Sequence, residues 1–188
     1  AHRRSAVNLT GGGEPQRIMG ALITASYWDV VGTAPELGRL FTADEDRPGK
    51  DNVVVISHGF WQRQFGGAVN VLGQTIQLNG VTKTIIGVMP SEFERSNGGR
   101  PNDVWSPIAF PAEDLADDNR GSHYVSVFGR LKEGVTLDQA RSEINVIETS
   151  LAKQFPKQME DSLVAVRPLI DVTVGAQRPV LLTLLGAV

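Results

Sequence analysis

Histidines and carboxylates are the side chains of this sequence that could bind a metal ion, and their spacing argues against such a site. The segment Asp44-x-Asp46-x-x-Gly49 resembles the start of a calcium-binding loop, but Pro48 stands at the fifth position and Val55 at the twelfth, where oxygen ligands are needed. The histidines lie far apart, without the spacing of a zinc-binding helix. They are His2, His58 and His123. The sequence therefore predicts no metal site and a solvated acidic loop.

The sequence also lacks the motifs that are typical of a catalytic nucleophile and of a phosphate-binding loop. Ser57 and Ser122 each directly precede a histidine, but neither lies within a Gly-x-Ser-x-Gly turn. The run 11–13 is triple glycine without the Lys-Ser/Thr that completes a phosphate-binding loop. Cysteine is absent, which excludes thiol nucleophiles, disulfides and thiolate zinc sites. We predict that the chain is not an enzyme and holds no cofactor.

The composition is typical of a folded domain, and its charge balance argues against a nucleic-acid partner. Of 188 residues, 41% are hydrophobic and 21% charged, enough apolar material for a core. Eighteen Lys and Arg against 21 Asp and Glu give a net charge of −3. Nucleic-acid binding depends on clustered positive charge, so this balance argues against it.

The first two thirds of the sequence predict mainly strands, which would position any functional site. An extended stretch runs from Arg17 to about Val31, and the apolar run Val53–Ile56 predicts a buried strand. Ser57 is the predicted N-cap of a helix over 58–65. The clearest signal is a hairpin over 74–89 around Asn79-Gly80, the pair typical of a type I′ turn. A further strand at 103–108 contains a proline, which favours a sheet edge.

The last third of the chain changes to a helical period. Tyr124–Leu131 is a predicted strand, and Thr136 with Gln139 forms the capping box of a helix that runs to Pro156. Apolar residues then recur every three or four positions, which predicts a face packed against a core. Leu163–Ile170 follows as a strand. Strand, helix and strand in this order predict a right-handed βαβ unit.

The apolar residues Val180–Val188 leave two interpretations open. They suit a buried terminal helix or strand, or the first turns of a membrane-spanning helix. A span needs about 20 apolar residues, so these alone cannot cross a bilayer.

Several motifs, in order along nearly the whole chain, resemble the MacB-like periplasmic core domain of FtsX-type ABC permeases. Each alone is weak, but together they are specific. They include the acidic pair Glu45-Asp46. The others are Thr24–Gly32, Pro35–Thr42, Val55–Gly67, Leu78–Pro90, Gly129–Ala140 and Arg178–Val188.

The resemblance implies an α+β fold with two lobes, a porter-like βαβ lobe and an inserted β-rich lobe. Residues 1–37 would then be an N-terminal segment of the porter-like lobe, 38–110 the inserted lobe and 111–179 the rest of the porter-like lobe. Residues 180–188 would begin a truncated transmembrane helix. A strand and helix that usually precede this point in the family are not present, so we expect a fragment with an incomplete porter-like lobe.

The resemblance also implies a function and a location. The domain would lie on the periplasmic side of the bacterial cytoplasmic membrane, flanked by membrane helices. It would couple ATP-driven movement of those helices to substrate efflux or to a periplasmic partner. The implied partners are an ATP-binding subunit or domain and a membrane-fusion adaptor or another periplasmic protein. The alternative is a non-transporting, FtsX-like regulator that activates an extracytoplasmic enzyme.

Two polar loops are candidate partner contacts, because loops held on a rigid scaffold often carry binding function. They are Thr42–Asp51 and Ser91–Asn102. Plain solvated connectors are the alternative interpretation. The predicted partner-binding residues are Asp44, Glu45, Asp46, Asn97 and Arg100.

Overall fold

The computed structural model describes residues 1–96, 102–119, 121–159 and 164–174. Short 3-10 turns lie at Val69–Val71 and Asp117–Asn119. In chain order, the strands and α-helices are β1 (His2–Thr10), β2 (Gln16–Ile23), α1 (Ser26–Val31), β3 (Leu37–Gly38), β4 (Val53–Ile56), α2 (His58–Phe65), β5 (Thr75–Leu78), β6 (Val81–Val88), α3 (Ser91–Ser96), β7 (Val104–Pro107), α4 (Leu137–Gln154) and α5 (Leu169–Val174).

These residues divide into two compact units. The first unit contains the described residues up to Ala116 together with Tyr124–Val127, and so includes all seven strands. The second unit contains the described residues of 117–123 and those from Phe128 onward, including α4 and α5. The mixture of helices with one sheet agrees with the predicted α+β class.

The sheet of the first unit closes on itself. Its strand order is β3-β6-β4-β7-β2-β1-β5, and β5 pairs in addition with β6. That extra pairing joins every strand except β3 into a ring, and β3 adds to β6 through the pairs Leu37–Val88 and Gly38–Gly87. The β2–β7 and β4–β6 pairs are parallel and the others antiparallel. Closure removes most of the free strand edges at which sheets associate.

Strands from both sides of the predicted boundary between residues 37 and 38 share this sheet. The β1 and β2 strands lie in the 1–37 segment, where they pair antiparallel along their whole length, from His2–Ile23 to Leu9–Gln16. They also pair with β5 and β7 of the 38–110 segment.

The predicted hairpin and the predicted capped helix are confirmed. Asn79 and Gly80, between β5 and β6, have φ values of 51° and 81°, as a type I′ turn requires. At the start of α2, the Ser57 hydroxyl accepts a hydrogen bond of 3.0 Å from the Phe60 backbone N–H. Both features form locally, so a few neighbouring residues suffice to specify them.

The core of the first unit lies between the sheet and α2. Side chains alternate along β5, where Ile76 and Leu78 point inward and Thr75 and Gln77 outward. The buried core cluster comprises Ile18, Val54, Ile56, Phe60, Trp61, Val71, Ile76, Leu78, Ile85, Val88 and Val104.

The prediction of an extended stretch up to Val31 is wrong for its last residues, and an aromatic cluster explains why. Residues from Ser26 form α1 instead of continuing β2, which buries Tyr27 and Trp28. The Trp28 ring lies 5.5 Å from that of Phe41 and 6.2 Å from that of Trp105, edge to face in both cases. Packing against residues distant in sequence therefore decides the conformation of this segment.

The predicted edge position of β7 is also wrong. This strand lies between β4 and β2. Its proline, Pro107, is the last residue of the strand and lies beyond the residues paired with β4, which are Val104 and Trp105. The missing N–H of the proline therefore leaves that ladder intact.

The second unit confirms the predicted helix but not the predicted βαβ arrangement. The capping box forms, with the Thr136 N–H donating to Gln139 Oε1 over 2.8 Å and the Gln139 N–H donating to Thr136 Oγ1 over 3.2 Å. In the 124–131 segment, Ser126 makes a single antiparallel bridge to His2 and no strand forms. Residues 164–168 are irregular, and α5 begins at Leu169. The 124–131 segment therefore meets β1 at one bridge, which is too short for a ladder, and the described residues 164–168 form no strand.

The expectation that α4 packs its apolar face against a core is wrong for the described residues. None of the residues of α4 is buried. On the predicted apolar face, Ile147 is 49% exposed, and Ile144 and Leu151 are half-buried. The predicted membrane stub 180–188 lies outside the described residues.

Candidate partner-binding surface

The acidic segment Thr42–Asp51 connects β3 to β4 in the first unit. It carries three of the five predicted partner-binding residues, Asp44, Glu45 and Asp46. Their carboxylates have different environments.

Glu45 stabilises the start of the segment. Its carboxylate accepts two hydrogen bonds from the Arg39 guanidinium, at 2.8 and 2.7 Å, and one of 2.9 Å from the Thr42 N–H. The hydrogen bonds from Arg39, aided by that from Thr42, lower the pKa of Glu45 from 4.5 to about 2. This bidentate pair fixes the direction in which the segment leaves β3.

Asp46 fastens the segment to two distant parts of the chain. Its Oδ2 accepts a hydrogen bond of 2.9 Å from the Ala25 N–H, just before α1. Its Oδ1 accepts one of 2.9 Å from the Ala109 N–H, just after β7. Ala109 has a φ of 42°, which few non-glycine residues adopt, and the bond to Asp46 helps to hold it there. Both carboxylate oxygens therefore serve the fold.

Asp44 lies at the surface of the segment. Its side chain is 61% exposed, and its carboxylate lies 2.9 Å from Lys50 Nζ and 3.9 Å from Arg47 Nη1. The hydrogen bond from Lys50 lowers the pKa of Asp44, so the carboxylate is ionised at neutral pH. Asp44 is the residue of the three whose carboxylate is exposed, and it is paired with the lysine and arginine of its own loop.

The other two predicted contact residues, Asn97 and Arg100, lie outside the described residues. The Ser91–Asn102 loop that carries them begins with α3, which the sequence did not predict.

A buried lysine closes the far end of the segment. Lys83 on β6 is 8% exposed, and its ammonium donates to the Asp51 carboxylate over 2.8 Å and to the Asp51 carbonyl over 2.5 Å. This pairing compensates the buried charge, so Lys83 has a structural role.

No group of three His, Cys, Asp or Glu side chains that could hold a metal ion occurs in the part of the chain that the structure describes. A cleft of about 260 Å³, which the sequence did not predict, lies at the end of the closed sheet beside the β1–β2 turn and α2. Its glutamines and threonines, such as Gln16, Gln64 and Gln77, resemble ordinary solvated residues in the sequence. No pattern of spacing could have united them, because they come from separate elements.

Comparison with known families decides what kind of domain carries these features. Residues 1–147 match the family described as the MacB-like periplasmic core domain. The chain belongs to this family. The match covers the closed sheet, the acidic segment and the first part of α4.

Relatives of this MacB-like domain are much longer proteins. "Probable export ATP-binding/permease protein MacB" of Pseudomonas entomophila is 28% identical over 123 residues, which cover 65% of this chain and 18% of that protein. "Probable syringafactin export ATP-binding/permease protein SyfD" of Pseudomonas syringae pv. tomato is 27% identical over 125 residues, covering 66% and 18%. The chain thus spans about a fifth of the length of the relatives it matches.

A solved structure supports the fold of the MacB-like domain. The periplasmic region of MacB from Actinobacillus actinomycetemcomitans superimposes with a TM-score of 0.56 at 18% identity, covering 87% of this chain and 75% of that one. Within the described ranges, no helix has both the length and the apolar character that crossing a membrane requires.

Proposed function

We propose that this MacB-like domain is the extracytoplasmic part of an ABC export permease in the bacterial cytoplasmic membrane. The observation that carries the proposal is the family match over residues 1–147. The names of the relatives describe export, which favours efflux over the regulatory alternative. In this proposal the domain relays movement of membrane helices to a substrate or partner outside the membrane.

ATP binding belongs elsewhere in the whole protein or in its complex. The chain has no phosphate-binding loop, whereas the relatives are named ATP-binding/permease proteins. In this proposal ATP is hydrolysed on the cytoplasmic side, and this domain transmits the resulting movement.

The proposed contact surface is the exposed part of the acidic segment, around Asp44. A structurally fixed loop carrying an ionised carboxylate suits a partner with a complementary basic patch. The proposed partner is a membrane-fusion adaptor or another periplasmic protein.

Export is tested in the host with the full-length gene. A strain lacking the gene is complemented with the intact gene or with one in which residues 1–147 are replaced by a Gly/Ser linker. Culture supernatants are compared by mass spectrometry, and membrane insertion is checked by immunoblot. We expect at least one compound that the intact gene restores and the linker version does not. Identical supernatants in all strains would refute export.

The contact surface is tested by copurification of the full-length protein with a membrane-fusion adaptor encoded beside its gene. Asp44→Lys should reduce the recovered adaptor. Asp138→Lys is the matched control, because the Asp138 side chain on α4 is 88% exposed and lies in the second unit. Equal recovery with both variants would exclude Asp44 from the contact.

A further inference from the structure

The cleft at the end of the closed sheet has the chemistry of a ligand site. It lies in the first unit between the β1–β2 turn, the last turn of α2, residues 75–77 of β5 and Thr82 of β6. Its volume of about 260 Å³ is below that of sites for drug-sized ligands and suits one or two small rings.

The floor of the cleft is apolar and partly aromatic. Phe60 and Ile76 are buried beneath it, and the half-buried Phe65 packs edge to face against Phe60 at 6.2 Å between ring centroids. Because Phe60 is 0% exposed, the half-buried Phe65 is the ring of this floor that can meet a ligand. The face of an aromatic ring carries partial negative charge and attracts polarised C–H groups. The C–H face of a sugar ring is such a surface.

The walls supply neutral hydrogen-bonding groups. Gln64 Nε2 donates to Gln16 Oε1 over 2.8 Å, so the two amides hold each other in place. The Thr10 hydroxyl likewise donates a hydrogen bond of 3.2 Å to Gln77 Oε1. Each amide keeps a further donor or acceptor, such as Gln64 Oε1 and Gln16 Nε2. Groups that both donate and accept match hydroxyls, which do the same.

Charge selects the class of ligand. Among the described residues that line the cleft there is no Lys, Arg or His, and Glu14 is their one charged side chain. A phosphate or carboxylate would find no counter-ion there and would meet the Glu14 carboxylate.

We propose that this cleft binds an uncharged pyranose ring of a saccharide. The inference goes beyond the proposed function and does not depend on export. Such a ring occurs in a glycan chain and on a glycolipid headgroup, and both present the same hydroxyls.

Side-chain amide resonances of the glutamines report on the cleft directly. The 188-residue chain, labelled with ¹⁵N, is titrated with N,N′-diacetylchitobiose, and separately with phosphatidylcholine vesicles containing digalactosyl lipid. We expect saturable shifts of the Gln16, Gln64 and Gln77 amides, with a Kd of about 1 to 10 mM for a ligand of this size. A response to the disaccharide indicates a glycan source, and a response to the vesicles alone indicates a headgroup. Either supports the proposal.

A pair of variants on one helix separates the cleft from the rest of α2. Gln64→Leu should weaken binding about fivefold or more through the loss of a hydrogen bond. Gln62→Leu makes the same change outside the cleft and should leave the affinity unchanged. Glucose 6-phosphate should produce no saturable shift.

Three outcomes would overturn the proposal. One is the absence of shifts with both saccharide probes. Another is a response to glucose 6-phosphate as strong as that to the disaccharide. The third is a response to uncharged tri-alanine without one to saccharides, which would make the cleft a peptide site. None of these outcomes bears on the export assay, so the two proposals fail separately.

Discussion

At the scale of single residues, neighbouring carboxylates in the acidic segment have different tasks. Glu45 is held by an arginine six residues away, and Asp46 joins backbone groups 21 and 63 residues away. Asp44 contacts the lysine and arginine of its own loop and is exposed. Sequence proximity therefore says little about which acidic residue can meet a partner.

Replacing Asp46 should therefore cost far more stability than replacing Asp44. Asp46→Ala leaves two partly buried N–H groups without their acceptor, and we expect a loss of about 2–4 kcal/mol in the free energy of unfolding. Asp44→Ala, the matched control, should leave that free energy unchanged within error. Urea denaturation of both variants is the measurement, and equal losses would contradict the structural role of Asp46.

Glu45 should make the stability depend on pH in acid. Its folded pKa of about 2 lies below the ordinary 4.5, so its contribution is fully present above pH 4.5 and is lost as the pH falls toward 2. Because the Arg39 side chain is 55% exposed and solvent screens the pair, we expect a contribution of about 1–2 kcal/mol.

Urea denaturation at several pH values between 2 and 7 measures this contribution. Glu45→Gln should remove the part of the pH dependence below 4.5 that Glu45 itself contributes. Glu14→Gln removes an exposed carboxylate elsewhere in the first unit and should retain that part. Identical pH profiles for the two variants would show that the Arg39 pair does not set the pKa of Glu45.

At the scale of elements, the close approach of β3 to β6 is a feature that depends on glycine. A Cβ atom at Gly87 would lie 2.3 Å from the Arg39 carbonyl oxygen, and one at Gly38 would lie 2.2 Å from the Ile86 carbonyl oxygen. Both obstacles are backbone atoms, which cannot rotate away as a side chain can. Glycine at these positions therefore allows β3 to pair.

Gly87→Ala should separate β3 from β6 and destabilise the first unit by about 2–4 kcal/mol. Gly129→Ala is the control, since a Cβ atom there meets nothing within 4 Å. Thermal unfolding followed by near-ultraviolet circular dichroism measures both. If Gly87→Ala unfolds at the wild-type temperature, the β3–β6 pairing is not as close as described.

At the scale of the whole molecule, the described residues of the two units differ in how much apolar surface they bury. The first unit has a core of fully buried aliphatic and aromatic side chains, including Ile56, Phe60 and Ile85. In the second unit, α4 buries no residue, and Leu169 and Ile170 of α5 are 60% and 65% exposed. Few buried contacts mean a low free energy of local opening.

Hydrogen exchange should therefore distinguish the units in the 188-residue chain. We expect amides of α4 to exchange at least about 100-fold faster than those of β4 and β6. Consistent with this, Ile147→Ala should change the free energy of unfolding by less than about 1 kcal/mol, whereas Ile56→Ala should cost about 2–5 kcal/mol. Equal protection of α4 and β4 would mean that α4 is packed in solution.

The sequence by itself determined the features that form within a few residues. The Asn79-Gly80 turn depends on two adjacent residues that adopt positive φ. The Ser57 cap and the Thr136–Gln139 capping box depend on side chains that reach backbone groups three positions away. Family motifs added the kind of domain, because they are spread along the chain in a recognisable order.

Only the tertiary structure decided how the strands close into a ring, that β7 lies inside the sheet and that Ser26–Val31 is helical. It also decided which carboxylate remains exposed and that separate glutamines share a cleft. The partners in these features are distant in sequence, as Asn8 and Asn79 or Asp46 and Ala109 are. Such contacts depend on the packing of the whole unit, which local propensity and periodicity do not encode.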